Sequence, residues 1–378
     1  VSNEDIVLEI KDLKTNFYTY EGVVKALDGI NLKIRRGETV GLVGETGCGK
    51  SVTARSIMRL VLPPGKIEEG QVILEGTDLL KLSDEEMRKI RGSKIAIVFQ
   101  DPMTYTNPVF TIGYQIAEVI KLHQDLTDRV HDMRIKKLKE ALEDKNLPDS
   151  KREKLEKKLK EYEALRDNPP KPTKKELDEV AREEAIKMLK LVRMPYPEKV
   201  VDQYPHELSG GMRQRAMIAM ALSCNPVLFI ADEATTALDV TIQAQVLELI
   251  NELKDKFNSS VIIITHDLGV VANTCDSVAV MYAGVIVERG PVEKVFYNPT
   301  HPYTKGLLAA IPRLDKKLDR LATIRGSVPN LIYPPSGCRF HPRCDYATEE
   351  CKKQKPPVQE VEPGHYVACY HPVTNGGN

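Results

Sequence analysis

Hydrophobic and polar positions alternate near the start of the chain and bunch into short apolar runs further on. Over residues 6–43 the spacing is that of strands: Ile30, Leu32 and Ile34 alternate with polar neighbours, as on a strand buried on one face. A mostly apolar run over residues 39–43 meets a glycine-rich stretch at 44–51, and residues 51–62 take up helical spacing. Three more short apolar runs, 95–99, 227–231 and 261–265, each end in polar residues. Buried strands of open α/β sheets end this way where a ligand meets their C-terminal ends. Residues 101–224 read as mostly helix, so the pattern predicts an α/β core split by a helical insertion.

Within the insertion, residues 124–180 are densely and evenly charged. Ile135, Leu138 and Leu142 recur at helical spacing, as do Leu155, Leu159 and Tyr162, with Asn146-Leu147-Pro148 between the two sets. Ser150 with Glu153, and Thr173 with Glu176, have the spacing of capping boxes that start helices. The reading is an antiparallel helical hairpin with a thin apolar seam. A solvated, partly disordered spacer is the competing one. From about Gly290 prolines and aromatics rise, marking a separate C-terminal segment.

Composition narrows the function. A chain of 378 residues exceeds one compact core, so two or three domains are expected. Lys+Arg number 54 and Asp+Glu 54, a zero balance with no general attraction for nucleic acid or anionic lipid. The start, VSNEDIVLEIKDL, lacks the basic and apolar regions of a signal peptide. No uncharged run is longer than the one between Arg215 and Asp232, which is broken at Asn225-Pro226 and falls short of the roughly 20 residues a membrane span needs. A soluble protein that meets a membrane only through a partner is expected.

Gly44-Glu45-Thr46-Gly47-Cys48-Gly49-Lys50-Ser51 fits the phosphate-loop pattern GxxxxGK[ST]. Its glycines let backbone N–H groups turn towards phosphates, and the helix behind it, entered through Val52, adds its positive N-terminal end. Lys50 would reach the β- and γ-phosphates and Ser51 would ligate Mg²⁺. A chance glycine-rich turn explains neither the strand before nor the helix after. Cys48 stands in a variable slot and reads as a small space-filler. In Leu208-Ser209-Gly210-Gly211-Met212-Arg213-Gln214-Arg215, Ser209, Gly210 and Gly211 would open a helix and offer donors to a phosphate. Asp232 and Glu233 end the next apolar run, Asp232 suited to hold Mg²⁺ through water and Glu233 to orient an attacking water. Thr265-His266-Asp267 ends the run after that. An ordinary acidic turn and a structural histidine would not predict this order.

These motifs resemble, in kind and order over residues 17–266, those of ABC-type ATPases, whose signature is LSGGQ. Met212 replaces the usual glutamine. Four stretches, FQDPMTYTNPVFTIG, LSGGMRQR, NPTHPYTKGLLAAIP and GSVPNLIYPPSGCRFHPRC, narrow the resemblance to the ATPase subunits of oligopeptide/dipeptide permeases. It implies an α/β fold, a P-loop ABC ATPase core with an antiparallel β subdomain, over residues 1–100 and 225–290. A helical signature subdomain would occupy 101–224, and a C-terminal extension 291–378. It implies that Phe17, with Tyr18 and Tyr20 nearby, stacks on adenine. Gln100 would touch Mg²⁺ and the attacking water and relay closure, and His266 would contact the γ-phosphate. Asp239 would lie in a loop crossing a dimer interface, although Thr236 or Ala237 stands where the family usually has serine. Ser209 and its glycines would act on the nucleotide of the opposite subunit.

The implied partners are a second ATPase subunit, either a related paralogue or another copy, and two transmembrane permease subunits. An extracytoplasmic solute-binding protein takes part indirectly, and nucleic acid does not. The implied place is the cytoplasmic face of the membrane, with ATP and Mg²⁺ as ligands. The same machinery importing oligosaccharides is the alternative. A non-transport ABC ATPase acting on DNA or ribosomes, with the hairpin as its arm, is a distant one: the chain has one cassette, no net charge and no cysteine pair at the hairpin tip. The presence of both Glu233 and His266 weighs against a regulatory module that no longer hydrolyses.

Cys48, Cys224 and Cys275 are scattered, as suits a reducing compartment. Cys338, Cys344, Cys351 and Cys369 cluster among prolines, with His341, His365 and His371 nearby as further ligands. Zinc takes four cysteines but usually as close C-x₂₋₄-C pairs, which are missing here. An iron–sulfur cube also takes four and tolerates wider spacing. Two disulfides do not suit a reducing compartment. The resemblance favours a 4Fe–4S cluster of structural role, because some peptide-permease ATPases carry one in this extension, and leaves zinc as the alternative.

Overall fold

The N-terminal alternation forms two long antiparallel strands, β1 (Ile6–Thr19) and β2 (Gly22–Arg35), in a register that sets Ile10 opposite Leu32. Ile30, Leu32 and Ile34 all turn inward and are buried. β3 is Thr39–Val43, β4 Gly65–Leu74 and β5 Thr77–Asp78. A four-stranded sheet runs β2-β1-β4-β5 and is antiparallel throughout. This computed structural model describes residues 5–100, 105–144, 147–234, 239–310 and 324–373. They fall into two compact units, Val1–Gln100 with Asn225–Asn378, and Asp101–Cys224.

The larger sheet of the first unit is built around β3. β6 (Ile95–Val98), β7 (Leu228–Asp232) and β8 (Ser260–Ile264) lie parallel on one side of it, and β9 (Ser277–Tyr282) lies parallel on the other. Every residue of β3, β7 and β8 is buried. Strands covered on both faces read as continuous apolar runs rather than as alternation, which is how these appear in the sequence. The helix after β3 is Lys50–Ile57, shorter than the 51–62 its spacing suggests. The chain leaves the helix at Arg59, in the left-handed region at φ 50°, where the Leu60 N–H closes the last turn on the Arg55 carbonyl (2.7 Å).

The segment after Gly290 does not stand apart, because the same sheet continues into it. β10 (Val285–Pro291) pairs antiparallel with β9, β12 (His365–Ala368) pairs with β10, and β11 (Val358–Glu362) forms the edge. The joint is held by Glu288, a carboxylate with 1% of its surface exposed. It accepts hydrogen bonds from the backbone N–H groups of Thr300 (2.7 Å) and His301 (2.9 Å) and from the Thr300 hydroxyl (2.8 Å). Its Oε1 also lies 2.8 Å from His365 Nε2. Burial alone would raise the Glu288 carboxyl, but the hydrogen bonds from His365 and its other partners hold it below the usual range. Nearby, buried Arg339 donates to the Ala283 carbonyl and to Asp28 (2.9 Å), a second tie between this segment and the core.

The second unit is helical: Ile112–His123, Thr127–Leu142, Asp149–Ala164, Lys174–Leu191, Pro197–Val200 and Gly210–Leu222. Thr127–Leu142 and Asp149–Ala164 form the hairpin, with Ile135, Leu138, Leu155, Leu159 and Tyr162 half-buried along its seam. No residue of Asp149–Ala164 is fully buried. The Thr173–Glu176 capping box forms. The one expected at Ser150 does not: the helix already begins at Asp149 behind Pro148, whose fixed φ suits a helix entrance, so Ser150 lies inside the first turn. Glu176 is also gripped by Arg134 through two contacts of 2.7 Å, which hold its carboxyl far below the usual range. Among the described residues no helix is long and apolar enough to cross a membrane.

Removing Glu288 would strand His365 and three donors in a dry joint. Glu288→Ala is expected to lower stability by about 3–5 kcal/mol, since each buried donor left without a partner costs about 1–3 kcal/mol, as measured by urea unfolding at pH 7. Because the folded-state carboxyl is depressed, this contribution is complete above its ordinary value of 4.5 and is lost as pH falls through its lower folded value. The gap between variant and parent should therefore narrow in acid. A gap that does not change with pH would contradict the assignment.

Candidate functional site

The glycine-rich loop leaves the end of β3 through Gly44, at φ 150°. A β-carbon there would lie 2.1 Å from the Met281 carbonyl oxygen and 2.8 Å from Cys48 Sγ. Gly49, at φ 107°, ends the loop equally tightly, within 2.8 Å of Leu27 and 3.0 Å of the Ala26 carbonyl. Between them the chain folds back on itself, Cys48 N–H donating to the Glu45 carbonyl (3.2 Å), before Lys50 opens the helix. The Lys50 ammonium is 5% exposed as a residue and donates to the carbonyls of Gly44 (2.8 Å) and Glu45 (3.2 Å), so a cation bridges the loop from within.

Two carboxylates from the end of β7 approach this loop. The Ser51 hydroxyl donates to Asp232 Oδ1 at 2.9 Å, which pairs the two residues expected to share Mg²⁺. Burial raises the Asp232 carboxyl, opposed by the Ser51 hydrogen bond. Glu233 follows in the left-handed region, at φ 48°, with its N–H on the Ile264 carbonyl at 2.9 Å. A side-chain-bearing residue held there costs about 1–3 kcal/mol and persists only where its surroundings impose it. Here the twist swings Glu233 out of the sheet to 3.7 Å from His266 Nδ1.

Thr46, Gly47, Gly49, Lys50, Ser51, Val52, Gln100, Glu233 and His266 share one open cleft of about 570 Å³, within the usual range of small-molecule sites. Phe17, Val24, Ala26 and Leu331 line its apolar part. Of the three aromatic candidates it is Phe17 that lines the cleft: Tyr18 donates to Glu68 (2.7 Å) and Tyr20 is 99% exposed. A flat apolar wall beside a cationic loop and paired carboxylates suits a nucleotide, with base, phosphates and metal in turn.

Three of the expected loop residues do not line the cleft. Gly44 lies beneath it, Cys48 packs its side chain into the core and has its thiol raised by that burial, and Glu45 turns its carboxylate to Arg343. In the helical unit Ser209 caps the helix Gly210–Leu222, accepting from the Met212 N–H (3.3 Å), and Ser209 and Gly210 are exposed. Gly211 follows in the first turn. Asp239 caps the helix Val240–Phe257 through the Ile242 N–H (3.0 Å), while Thr236, Ala237 and the residues just after Gln100 lie outside the described residues.

Val24, Ala26 and Leu331 escape sequence reasoning, as do Tyr303 and Arg343, which reach Glu45 from the C-terminal segment. The stretches containing Leu331, Tyr303 and Arg343 stand out in the sequence, but nothing in them points to a loop some 260 to 300 residues away.

Cys338, Cys344, Cys351 and Cys369 line one recess with His301 and His341. Burial raises the thiols of Cys338, Cys344 and Cys369, the last to about 11, and the neighbouring cysteines push in the same direction. Thiols gathered on one wall and raised in this way are a donor set that a cation would relieve. His301 Nδ1 accepts from the Tyr303 N–H (3.0 Å), which leaves its ring proton on Nε2, a buried donor without a partner on the wall of the recess. That orphan suits an anionic or sulfur acceptor in the recess. Among the described residues no group of three or more His, Cys, Asp or Glu side chains forms a ready site for a metal ion.

The family described as ABC transporter matches residues 27–236, and the oligopeptide/dipeptide transporter C-terminal region matches residues 287–351. A probable peptide ABC transporter ATP-binding protein of Sinorhizobium fredii is 47% identical, over 97% of this chain and 95% of its own. The oligopeptide transport ATP-binding protein OppD of Bacillus subtilis is 46% identical, over 97% and 89%. The dipeptide transport ATP-binding protein DppD of the same organism is 44% identical, over 96% and 94%. Among solved structures, the dimer of the bacterial ABC transporter cassette MJ0796 superposes with a TM-score of 0.56, over 75% of this chain and 98% of that one. At 24% identity this likeness concerns the fold alone.

Gly44→Ala places a methyl group against the Met281 carbonyl in a backbone region alanine avoids. It is expected to weaken binding of a nucleoside triphosphate at least about tenfold, as read by titration calorimetry. Unchanged binding would show that the loop's shape is not what the ligand needs.

Proposed function

Since the chain belongs to the ABC transporter family, we propose that it is the ATP-hydrolysing subunit of an importer for di- or oligopeptides. The observation that carries this is the convergence of Lys50, the Ser51–Asp232 pair, Glu233 and His266 on one cleft with Phe17 at its apolar end. The peptide part rests on the relatives, which are named for oligopeptide and dipeptide transport and match nearly the whole chain.

In this reading the backbone of residues 46–51 and the Lys50 ammonium hold the phosphates, while Phe17 takes the base. Ser51, Asp232 and Gln100 would hold Mg²⁺, which when bound supplies the charge that neutralises the phosphate oxygens. Glu233 orients the attacking water and His266 steadies the γ-phosphate, both from the mouth of the cleft. Ser209, Gly210 and Gly211 act on the nucleotide of a second ATPase subunit, as the exposure of Ser209 and Gly210 at a helix start permits. Closure on ATP, and reopening on hydrolysis, moves two transmembrane permease subunits at the cytoplasmic face. A solute-binding protein delivers cargo from the other side. The work comes from the higher affinity of ATP for the closed pair.

The recess walled by Cys338, Cys344, Cys351 and Cys369 would hold a 4Fe–4S cluster of structural role, with the four cysteines as its ligands. Along the chain they lack the close C-x₂₋₄-C pairs usual for zinc, a separation that a four-iron core tolerates. Anaerobic purification followed by iron and sulfide determination should give a 4Fe–4S ratio; colourless protein with stoichiometric zinc would overturn it.

Glu233→Gln keeps the shape of the side chain and removes its charge. ATP turnover should fall by about 10²–10⁴-fold while ATP binding persists and an ATP-dependent dimer accumulates, visible by light scattering. Full turnover in the variant would remove Glu233 from the mechanism.

A further inference from the structure

Glu45 receives two groups from the C-terminal segment. Its backbone N–H donates to the Tyr303 hydroxyl at 2.9 Å. Its carboxylate takes both arms of Arg343, at 2.7 Å and 3.1 Å. Neither contact is a loose surface pair. Tyr303 is fully buried against Tyr282 and Phe340, and the Arg343 side chain is 6% exposed. The other Arg343 donors are also engaged, Nε on the Arg325 carbonyl (2.7 Å) and one arm on the Tyr282 hydroxyl (3.3 Å). A guanidinium engaged at all three of its nitrogens and forked onto a carboxylate sets that carboxylate's position in two dimensions.

The place of Glu45 gives these contacts their meaning. It is the second residue of the phosphate loop, and its carbonyl carries both the Cys48 N–H that folds the loop and one bond from the Lys50 ammonium. Both anchors also start from the cysteine recess. Arg343 precedes Cys344, and Tyr303 follows His301, whose ring lines the recess and accepts the Tyr303 N–H. A third element, Leu331, is held by the Lys25 N–H on its carbonyl (2.9 Å) and lines the cleft beside Phe17.

We propose that Tyr303 and Arg343 are positioning residues of the nucleotide site: they clamp Glu45 so that the phosphate loop is formed before nucleotide arrives. The C-terminal segment is then a working part of the nucleotide site, and the cysteine recess braces the loop through both anchors. A loop held in its binding shape spends less of the ligand's binding free energy on ordering.

The inference rests on reading the cleft as the nucleotide site, which calorimetric binding of Mg–ATP to the unaltered full-length chain tests separately. Given that binding, Tyr303→Phe removes only the hydroxyl and keeps the ring packing. Its affinity for Mg–ATP should fall about two- to tenfold, the equivalent of one hydrogen bond. Amide hydrogen exchange over residues 44–50 should quicken in the nucleotide-free state. In steady-state turnover KM for ATP should rise with kcat nearly unchanged, since Glu233 is untouched. Arg343→Gln should weaken binding further and Arg343→Lys should restore part of it. Combining Arg343→Gln with Glu45→Gln should cost no more than the larger single effect, because both remove one contact. Should Arg343→Gln fail to fold, Tyr303→Phe carries the test alone. Unchanged affinity and unchanged exchange over 44–50 in a folded Tyr303→Phe would overturn the proposal. So would a lowered melting temperature without either effect, which would reduce these contacts to attachment of the segment.

Discussion

A β-carbon on residue 44 would sit 2.1 Å from the carbonyl oxygen of Met281. β3 and β9 lie side by side as central strands, and the chain leaving β3 has to turn directly across the end of its neighbour. Only a residue without a side chain passes at that distance and at that φ. From this crossing the rest of the site follows. The loop folds back on itself through the Cys48 N–H, Lys50 closes it from within, and Ser51 falls beside Asp232 at the end of β7. The parallel order β9-β3-β8-β7-β6 delivers Asp232, Glu233, His266 and Gln100 to the same edge.

The electrostatics of the cleft sort its groups by task. Asp232, buried and hydrogen-bonded by Ser51, is a carboxylate whose ionisation burial opposes, and a divalent cation beside it would favour the charged form. Glu233, one residue further and turned outward by its left-handed backbone, stands where water can reach it. Two adjacent acidic residues thus take different roles because one lies in the strand and the other just beyond it.

Much of this was legible in the sequence, for reasons particular to each element. Short apolar runs announced β3, β6, β7 and β8 because those strands are buried on both faces, and the glycine spacing announced the loop because no other residue survives at 44 and 49. Local rules also placed the Thr173 cap. They failed at Ser150, where Pro148 starts the helix earlier, and at Arg59, whose left-handed turn stops the helix before residue 62. Contacts made by folding distant segments together were not legible. The course of β12 alongside β10, Leu331 in the cleft wall and Arg343 on Glu45 depend on tertiary packing, and pattern along the chain carries no trace of them, whereas the clustering of the four cysteines near the end of the chain did announce their shared recess. Glu45 is the instructive case: the loop motif counts it towards the ligand, while its side chain points the other way to anchor the loop.

The most direct measurement is ATP turnover of the assembled transporter, with its solute-binding protein offered peptides or short sugars in turn. The account predicts that peptides raise turnover above the basal rate and sugars do not. Stimulation by sugars alone, or by neither in a preparation with healthy basal turnover, would contradict the assignment to peptide import.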